Sequence, residues 1–331
     1  MASMAKYLAN RILQGVVTVF IVTSLIFVLF EAMPGDPLSR FRADPTITKE
    51  RIAQLEQEFG LNKPYHERYV IFMTNMFTGK FGQSYSEGRP VMDVIADRLP
   101  RTLLLFGAET IVVYLFGVMI GSFIGWKRGG AIEGATVVTS LVFYNMPSFW
   151  IGLICIWVFS FQLGWFPLGR FSGPAETAQH FGISENAWYF TGVDYLWHMA
   201  LPLIVLVLIG IAGVILLMRT SLLEVMGEDY ILTAKAKGLT ERQVRTRHAN
   251  RNAYLPIVTS FTISLALAIG GALILEQIFT YYGLGYTYLS ALLRQDHFLA
   301  GAILYIISIL VILANIMADI LYGWLDPRVR M

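Results

Sequence analysis

Six long apolar runs constrain the fold of this chain more than any other feature. Each is about 20 residues or longer, enough for an α-helix to cross the roughly 30 Å hydrocarbon core of a bilayer. Hydrophobic residues make up 56% of the chain and charged residues only 15%, far from the averages of soluble domains. The sequence therefore predicts an all-α membrane protein with six transmembrane helices. The predicted spans are Ile12–Phe30, Thr102–Trp126, Ala135–Leu163, His198–Met218, Ile257–Phe279 and Gly301–Trp324.

The first run follows Lys6 and Arg11, a pattern that membrane anchors share with cleaved signal peptides. The run is longer than the roughly 7–15 apolar residues of a signal peptide. Pro34 and Pro37 also crowd the position where cleavage would fall. We therefore expect an uncleaved first transmembrane helix.

The longest polar section predicts a folded loop outside the membrane. An apolar stripe after Thr48 predicts a helix over residues 48–59. A second stripe, at every fourth residue from Val91, predicts an amphipathic helix that ends at Pro100, since the residue before a proline disfavours helix. We expect three parts: residues 1–31 with the first span, a loop domain at 32–101, and a core domain at 102–331.

The distribution of Lys and Arg over the short loops predicts the orientation in the membrane. Seven of these residues lie in the stretch from Arg219 to Arg251, both included, whereas the short loops on the opposite side carry only Arg170 and Arg294. Other basic residues on the richer side are Lys6, Arg11, Lys127, Arg128, Arg328 and Arg330. Both termini and the loop at 228–256 are therefore expected in the cytoplasm.

Several classes of function have no support in the sequence. The net charge of +2 gives no reason to expect a nucleic-acid partner, and Cys155 is the only cysteine. The five histidines show no metal-binding spacing, and the glycines at 283–285 lack the Lys-Ser/Thr of a phosphate-binding loop. We expect no catalytic residue, no metal and no cofactor on this chain.

Two carboxylates lie clearly within predicted spans, Glu109 and Glu276, and two more, Glu31 and Asp319, lie near span ends. Ionisable groups are costly in lipid, so they are candidates for lining a translocation pathway or relaying protons. The alternative is a buried carboxylate that is hydrogen-bonded to a neighbouring helix. Pro147 predicts a bend in the third span and is a third candidate pathway residue. Glycines at 117, 121, 125, 270 and 271 favour close helix packing over substrate contact.

The polar loop at 225–256, between the fourth and fifth spans, carries the clearest local signals. Glu228 and Asp229 open a short helix whose last turn holds Lys235 and Lys237, which suits the helix dipole. Gly238 ends that helix. A second helix is predicted to start with a capping box from Thr240 to Gln243 and to pair Glu241 with Arg245. This arrangement predicts a docking surface for another protein.

The same loop resembles a known motif. The spacing of Ala234, Gly238 and Leu255-Pro256 resembles the "EAA" loop of the membrane subunits of ABC importers, with Thr233-Ala234-Lys235 in place of Glu-Ala-Ala. The surrounding segments are similar to the dipeptide, oligopeptide and nickel permease branch of that family. Similar segments cover nearly the whole chain, at 60–69, 79–84, 91–102, 147–152, 163–167 and 325–330.

The resemblance implies a type I importer fold in the cell inner membrane, in which this chain forms half of the pathway. It implies a homologous second permease, two ATP-binding subunits that hold ATP and Mg, and an extracytoplasmic substrate-binding protein. The loop would fit a cleft on an ATP-binding subunit. Its expected coupling residues are Glu228, Asp229, Thr233, Ala234, Lys235, Gly238, Leu239, Leu255 and Pro256.

Peptides are the expected cargo, with nickel chelates or oligosaccharides as alternatives within the branch. Two other classes of function stay open from the residues alone. A proton-coupled carrier would use Glu109 or Glu276 and work without ATP. An assembly scaffold or receptor would bind partners through the loop and transport nothing.

Overall fold

A computed structural model describes residues 2–32, 38–43, 45, 47–267 and 273–325. Within these residues the chain forms helices and no strand, with one isolated antiparallel bridge between Gln83 and Pro90. The all-α prediction is confirmed. The helices are α1 Ala2–Ala32, α2 Ser39–Ala43, α3 Lys49–Phe59, α4 Tyr65–Thr78, α5 Val91–Trp126, α6 Ala131–Asn145, α7 Ser148–Cys155, α8 Pro174–Phe181, α9 Phe190–Met226, α10 Asp229–Ala236, α11 Glu241–Gln243, α12 Asn250–Leu267, α13 Leu273–Ile278, α14 Leu284–Leu293 and α15 His297–Leu325. Two π-helical segments, Ile156–Gln162 and Val244–Ala249, continue α7 and α11.

Four described helices are long and apolar enough to cross a membrane, namely α1, α5, α9 and α15. The helix pair Ala131–Asn145 and Ser148–Gln162 adds a fifth span if its halves count as one. They meet at 99°, so the predicted bend at Pro147 is confirmed as a full break. The predicted span at 257–279 falls on α12 and α13. Residues 268–272, with Gly270 and Gly271, lie outside the described residues.

The chain divides into two compact units. The first contains residues 1–102, 269–273 and 282–331, and the second contains residues 103–268 and 274–281. Helix α5 contributes its first turns to the first unit and the remainder to the second. Pro34, Pro37, Arg328, Arg330 and the segment 326–330 lie outside the described residues, as does the side chain of Asp319.

The first unit packs α1 against α15 and holds the outer loop on their ends. Its core contains Ile26 of α1, Phe81 of the loop and Ile303 of α15, each almost fully buried. The predicted helix at 48–59 is confirmed. The Thr48 side chain accepts a hydrogen bond from the Arg51 amide at its start, and a left-handed glycine, Gly60, follows its end.

Asp296 fastens the outer loop to the start of α15. The buried carboxylate accepts hydrogen bonds from Ser84 Oγ (2.6 Å), Ser86 N (2.9 Å) and Ser86 Oγ (2.8 Å), and its other oxygen accepts from Leu299 N (3.1 Å). It therefore caps α15 and also holds a turn more than 200 residues earlier in the chain.

The predicted helix end at Pro100 is wrong, because α5 runs through the proline to Trp126. The Asp97 carboxylate forms an ion pair with Arg101 at 2.6 Å, four residues later, and another with Arg89 at 3.1 Å. The pair with Arg101 joins the helical turns on either side of the proline, and the pair with Arg89 ties the first of these turns to the segment before α5. Such interruptions are tolerated where neighbouring groups support the helix.

In the second unit, the glycines at 117, 121 and 125 lie where α5 packs on α9. A Cβ on Gly121 would lie 2.6 Å from the carbonyl oxygen of Ile215, and one on Gly117 would lie 2.8 Å from Val214 Cβ. These glycines allow the two backbones to approach closely. The packing interpretation of this glycine stripe is confirmed.

Candidate functional site

The first helix of the polar loop, α10, forms as its charges predict. Glu228 occupies the N-cap position, Asp229 lies in the first turn and Lys235 in the last. The following Gly238 has φ +77°, a left-handed conformation that a β-branched residue strongly disfavours. No atom lies within 4 Å of the place where its Cβ would be, so the backbone conformation alone selects glycine here.

The capping box at Thr240 is confirmed in both directions. The Thr240 Oγ1 accepts from the Gln243 amide, and the Gln243 Oε1 accepts from the Thr240 amide at 3.0 Å. The predicted pair of Glu241 with Arg245 is wrong: among the described residues, Glu241 pairs with Lys235 at 3.4 Å. The physical reason is the π-helix from residue 244, whose wider turn changes the spacing of neighbouring side chains.

The second helix of the loop is not short. The segment that starts at Glu241 stays helical through the π-helix and α12 to Leu267. Pro256 lies inside α12. The loop is therefore one short helix, a glycine corner and the first turns of a longer helix.

The inner face of the loop is part of the core of the second unit. Ile231, Ala234, Val244 and Ala249 are buried in one cluster with residues of α5, α9 and α12. Ala234 is 4% exposed, so the alanine of the EAA-like motif packs inward. Leu239 is half-buried against the same cluster.

The outer face of the loop carries the remaining predicted coupling residues. All of them are exposed: Glu228, Asp229, Thr233, Lys235, Gly238, Leu255 and Pro256. Two leucines of this region are also strongly exposed, Leu232 at 61% and Leu255 at 60%. The surface thus carries both charged and apolar side chains.

Side-chain hydrogen bonds that sequence reasoning missed join the loop to neighbouring helices. Asn252 Nδ2 donates to the Tyr230 hydroxyl at 2.6 Å and links α12 to α10. Ser221 Oγ of α9 donates to the Ala253 carbonyl at 2.9 Å. The asparagine and the tyrosine are 22 residues apart, so no local spacing marks them.

The connection between α5 and α6 also contacts this region. The Lys235 ammonium lies 5.8 Å from the centre of the Trp126 ring. Glu133 accepts a hydrogen bond from Nε of Arg219, two turns before the end of α9, at 2.7 Å, and forms an ion pair with Nη2 of the same residue at 2.5 Å. Its second oxygen accepts from the Gly129 amide at 2.5 Å. Side-chain contacts therefore link the loop, the connection between α5 and α6, and helix α9.

The three candidate pathway residues lie on separate elements. Glu109 of α5 is partly buried, and one of its oxygens would lie 2.6 Å from a Cβ on Gly210 of α9. Glu276 of α13 is fully buried, with 0% exposure. Pro147 is exposed at the break between α6 and α7. Near the first span, Glu31 forms an ion pair with Arg68 at 2.7 Å.

A further polar cluster, also missed, surrounds Asp194 near the start of α9. The buried carboxylate accepts from Ser172 Oγ, from the Gly173 amide at 3.1 Å and from Thr177 Oγ1 at 2.5 Å. His198 Nδ1 lies 3.1 Å from it. The cluster holds α8 and the residues before it against α9. Among the described residues, no group of three or more His, Cys, Asp or Glu side chains is arranged to hold a metal ion.

Comparison with known proteins decides the family. The sequence profile of the binding-protein-dependent transport system inner membrane component matches residues 117–331. The profile of the N-terminal region of such membrane components matches residues 4–106. The chain belongs to this family. The resemblance inferred from the loop motifs is confirmed, and the chain is a multi-pass inner-membrane permease of the ABC importer class.

Several relatives match over nearly their full length. The oligopeptide transport system permease protein AppB of Bacillus subtilis strain 168 is 36% identical over 99% of this chain and 100% of its own. The di/tripeptide transport system permease protein DppB of Pseudomonas aeruginosa strain UCBPP-PA14 is 33% identical over 99% of each chain. The dipeptide transport system permease protein DppB of Escherichia coli K12 is 34% identical over 99% of each chain.

Membership in this family has two consequences for the chain. A permease of this kind works with ATP-binding partners and with a substrate-binding partner. It is itself a transport component and not an enzyme.

Proposed function

We propose that this chain imports peptides by forming half of a membrane pathway, and that its loop at 225–256 couples the pathway to an ATP-binding subunit. The names of relatives that match it end to end support the peptide cargo. Nickel chelates and oligosaccharides remain the alternative cargoes within the family.

The observation that carries the coupling role is the two-sided character of the loop. Its inner face, with Ile231 and Ala234, is buried against the helices of the second unit. Its outer face exposes Leu232, Leu255 and several charged groups. A cleft on another protein would bury these leucines, and the packed inner face would pass a displacement of the loop on to α5 and α9.

The proposed assembly contains a homologous second permease, two ATP-binding subunits and an extracytoplasmic binding protein. ATP and Mg bind to the ATP-binding subunits, and this chain holds no cofactor of its own. We also propose that the chain has three functional parts: the first span at 1–31, the outer loop domain at 32–101 and the core domain at 102–331. The outer loop at 32–101 would face the binding protein.

We propose that cargo passes near Glu109, Pro147 and Glu276. The break of the third span at Pro147 supports this assignment, since irregular backbone inside a membrane is tolerated only where protein or a water-filled cavity surrounds it. Replacing each carboxylate by its amide would test the assignment. If a variant hydrolyses ATP normally but prefers different cargo, the carboxylate lies on the pathway. If its cargo preference is unchanged, the carboxylate does not line the pathway.

Both termini and the coupling loop are proposed to face the cytoplasm, from the loop charges. Single cysteines at Gln54, Gln179 and Arg242, in a Cys155→Ala background, report the orientation. An impermeant thiol reagent should label the first two in intact cells and the third only after lysis. Labelling of the Arg242→Cys variant in intact cells would overturn the topology.

The coupling role is tested by Gly238→Val, measured as peptide uptake per ATP hydrolysed in the reconstituted complex. Valine at φ +77° costs on the order of 1–3 kcal/mol and should turn α10 away from its docking position. Gly79→Val is the matched control, since Gly79 also has a positive φ of 72° and open space around it. Gly238→Val should lower the ratio and Gly79→Val should not. An unchanged ratio in Gly238→Val would show that the glycine corner is not needed for coupling.

A further inference from the structure

The second unit contains an open groove of about 550 Å³ that none of the predicted coupling residues lines. One wall is the stretch of α5 from Phe116 to Ile124, about 12 Å of helix. The opposite wall is the helical segment around Arg245 and Asn250, and the start of α6 closes the side. The groove therefore lies between three helices of one unit.

The α5 wall is apolar and exposed. Phe116, Met119, Ile120 and Phe123 all line the groove, with exposures between 36% and 59%. These residues belong to a membrane span, where an acyl chain can cover such a wall. No Asp or Glu lines the groove among the described residues.

Arg245 is the only charged side chain that lines the groove among the described residues, and it is half-buried. Its expected partner Glu241 binds Lys235 instead. In the part of the chain that the structure describes, its guanidinium has no hydrogen bond and no ion pair. Arg245 lies in the π-helix at 244–249, whose wider turn points its side chain differently from that of an α-helix. Turns of this kind occur frequently at functional sites. A partly buried cation without a counter-ion favours an anionic ligand.

In the proposed orientation, the depth of Arg245 matches the level of the lipid headgroups. Ser122 Oγ donates a hydrogen bond to Asn250 Oδ1 at 3.0 Å, so these two residues lie at the same depth in the membrane. Trp126 lies about 6 Å further toward the cytoplasm along α5, and Arg245 lies a similar distance from Asn250 along its own helix. Tryptophan marks the membrane interface. Arg245 is thus at the interface and Phe116 is inside the hydrocarbon.

We propose that this groove binds an anionic phospholipid of the cytoplasmic leaflet. Its phosphate contacts the Arg245 guanidinium, and one acyl chain lies along the α5 wall. Basic residues between transmembrane helices on the cytoplasmic side recognise such headgroups through charge. A zwitterionic peptide fits less well, since no described residue that lines the groove offers a carboxylate to its amino terminus. The inference rests on the orientation given under the proposed function.

The test measures lipid retained by the purified complex in native mass spectrometry after addition of phosphatidylglycerol or phosphatidylcholine. The variant is Arg245→Gln, and the matched control is Arg247→Gln, which removes the same charge from an exposed neighbour that does not line the groove. We expect Arg245→Gln to lower phosphatidylglycerol retention at least about fivefold. Arg247→Gln should retain the wild-type amount, and phosphatidylcholine should bind weakly to all three proteins.

Equal phosphatidylglycerol retention in Arg245→Gln and wild type overturns the proposal, as does an equal loss in Arg247→Gln. A second variant, Met119→Trp, fills the apolar wall and should lower retention while the complex stays intact. Loss of the second permease from that variant would show instead that protein covers the groove. Lipid retention is read without transport, so a complex that keeps lipid but imports nothing would contradict the proposed function alone.

Discussion

Replacing Gly121 with alanine tests how closely α5 and α9 must approach. The new Cβ would lie 2.6 Å from the carbonyl oxygen of Ile215 and 2.8 Å from Met218 Cβ. Real side chains do not pack this closely, and a backbone oxygen cannot turn away as a flexible side chain can. We expect the two helices to be pushed apart where the coupling loop is anchored to them.

The expected destabilisation is about 1–3 kcal/mol, as for other overpacked cores. Gly125 gives a smaller effect, since its Cβ would meet its nearest atoms at 3.3 Å. Gly107 lies in the same helix with no atom within 4 Å of its Cβ position. Gly107→Ala should therefore keep or raise stability, because alanine favours helix by up to about 1 kcal/mol over glycine.

The assay heats the detergent-purified complex and measures the fraction that stays monodisperse by size-exclusion chromatography. The midpoint temperature should fall most for Gly121→Ala, less for Gly125→Ala and not at all for Gly107→Ala. A Gly121→Ala protein as stable as Gly107→Ala would show that the close packing of α5 on α9 is not needed.

Two further substitutions test other contacts. Ile231→Ala removes a buried side chain on the inner face of α10 and should cost about 2–5 kcal/mol locally. ATP hydrolysis should persist while peptide uptake per ATP falls. Leu232→Ala, on the exposed face of the same helix, serves as a control for stability. Asp296→Ala removes the cap of α15 and the contacts to Ser84 and Ser86, at a cost of up to about 2 kcal/mol for the cap alone. Limited proteolysis should then cut near residue 85 faster, and an unchanged rate would show that other contacts hold the turn.

Local signals explain which parts of the fold were predictable. The capping box at Thr240, the corner at Gly238 and the helix start at Thr48 depend on neighbouring residues, and the structure has all three. The break at Pro147 follows from one residue that cannot continue a helix. Apolar runs likewise predicted the membrane class without any tertiary information.

The errors and omissions have tertiary causes. Helix α5 continues through Pro100 because ion pairs of Asp97 support it. The π-helix that separates Arg245 from Glu241 has no simple periodic signature. Asp296 meets Ser84 across 212 positions of the chain, and Glu133 meets Arg219 across 86. Such pairings are set by packing and cannot be derived from spacing.

Coupling of transport to ATP hydrolysis on partner subunits is the central claim. The direct measurement is uptake of a labelled peptide into proteoliposomes that contain this chain, its second permease and the ATP-binding subunits. Uptake should require both ATP on the cytoplasmic side and peptide-loaded binding protein on the other, and should persist when the proton gradient is dissipated. Uptake that proceeds without ATP and stops when the proton gradient is dissipated would contradict the account and make Glu109 and Glu276 the residues to examine.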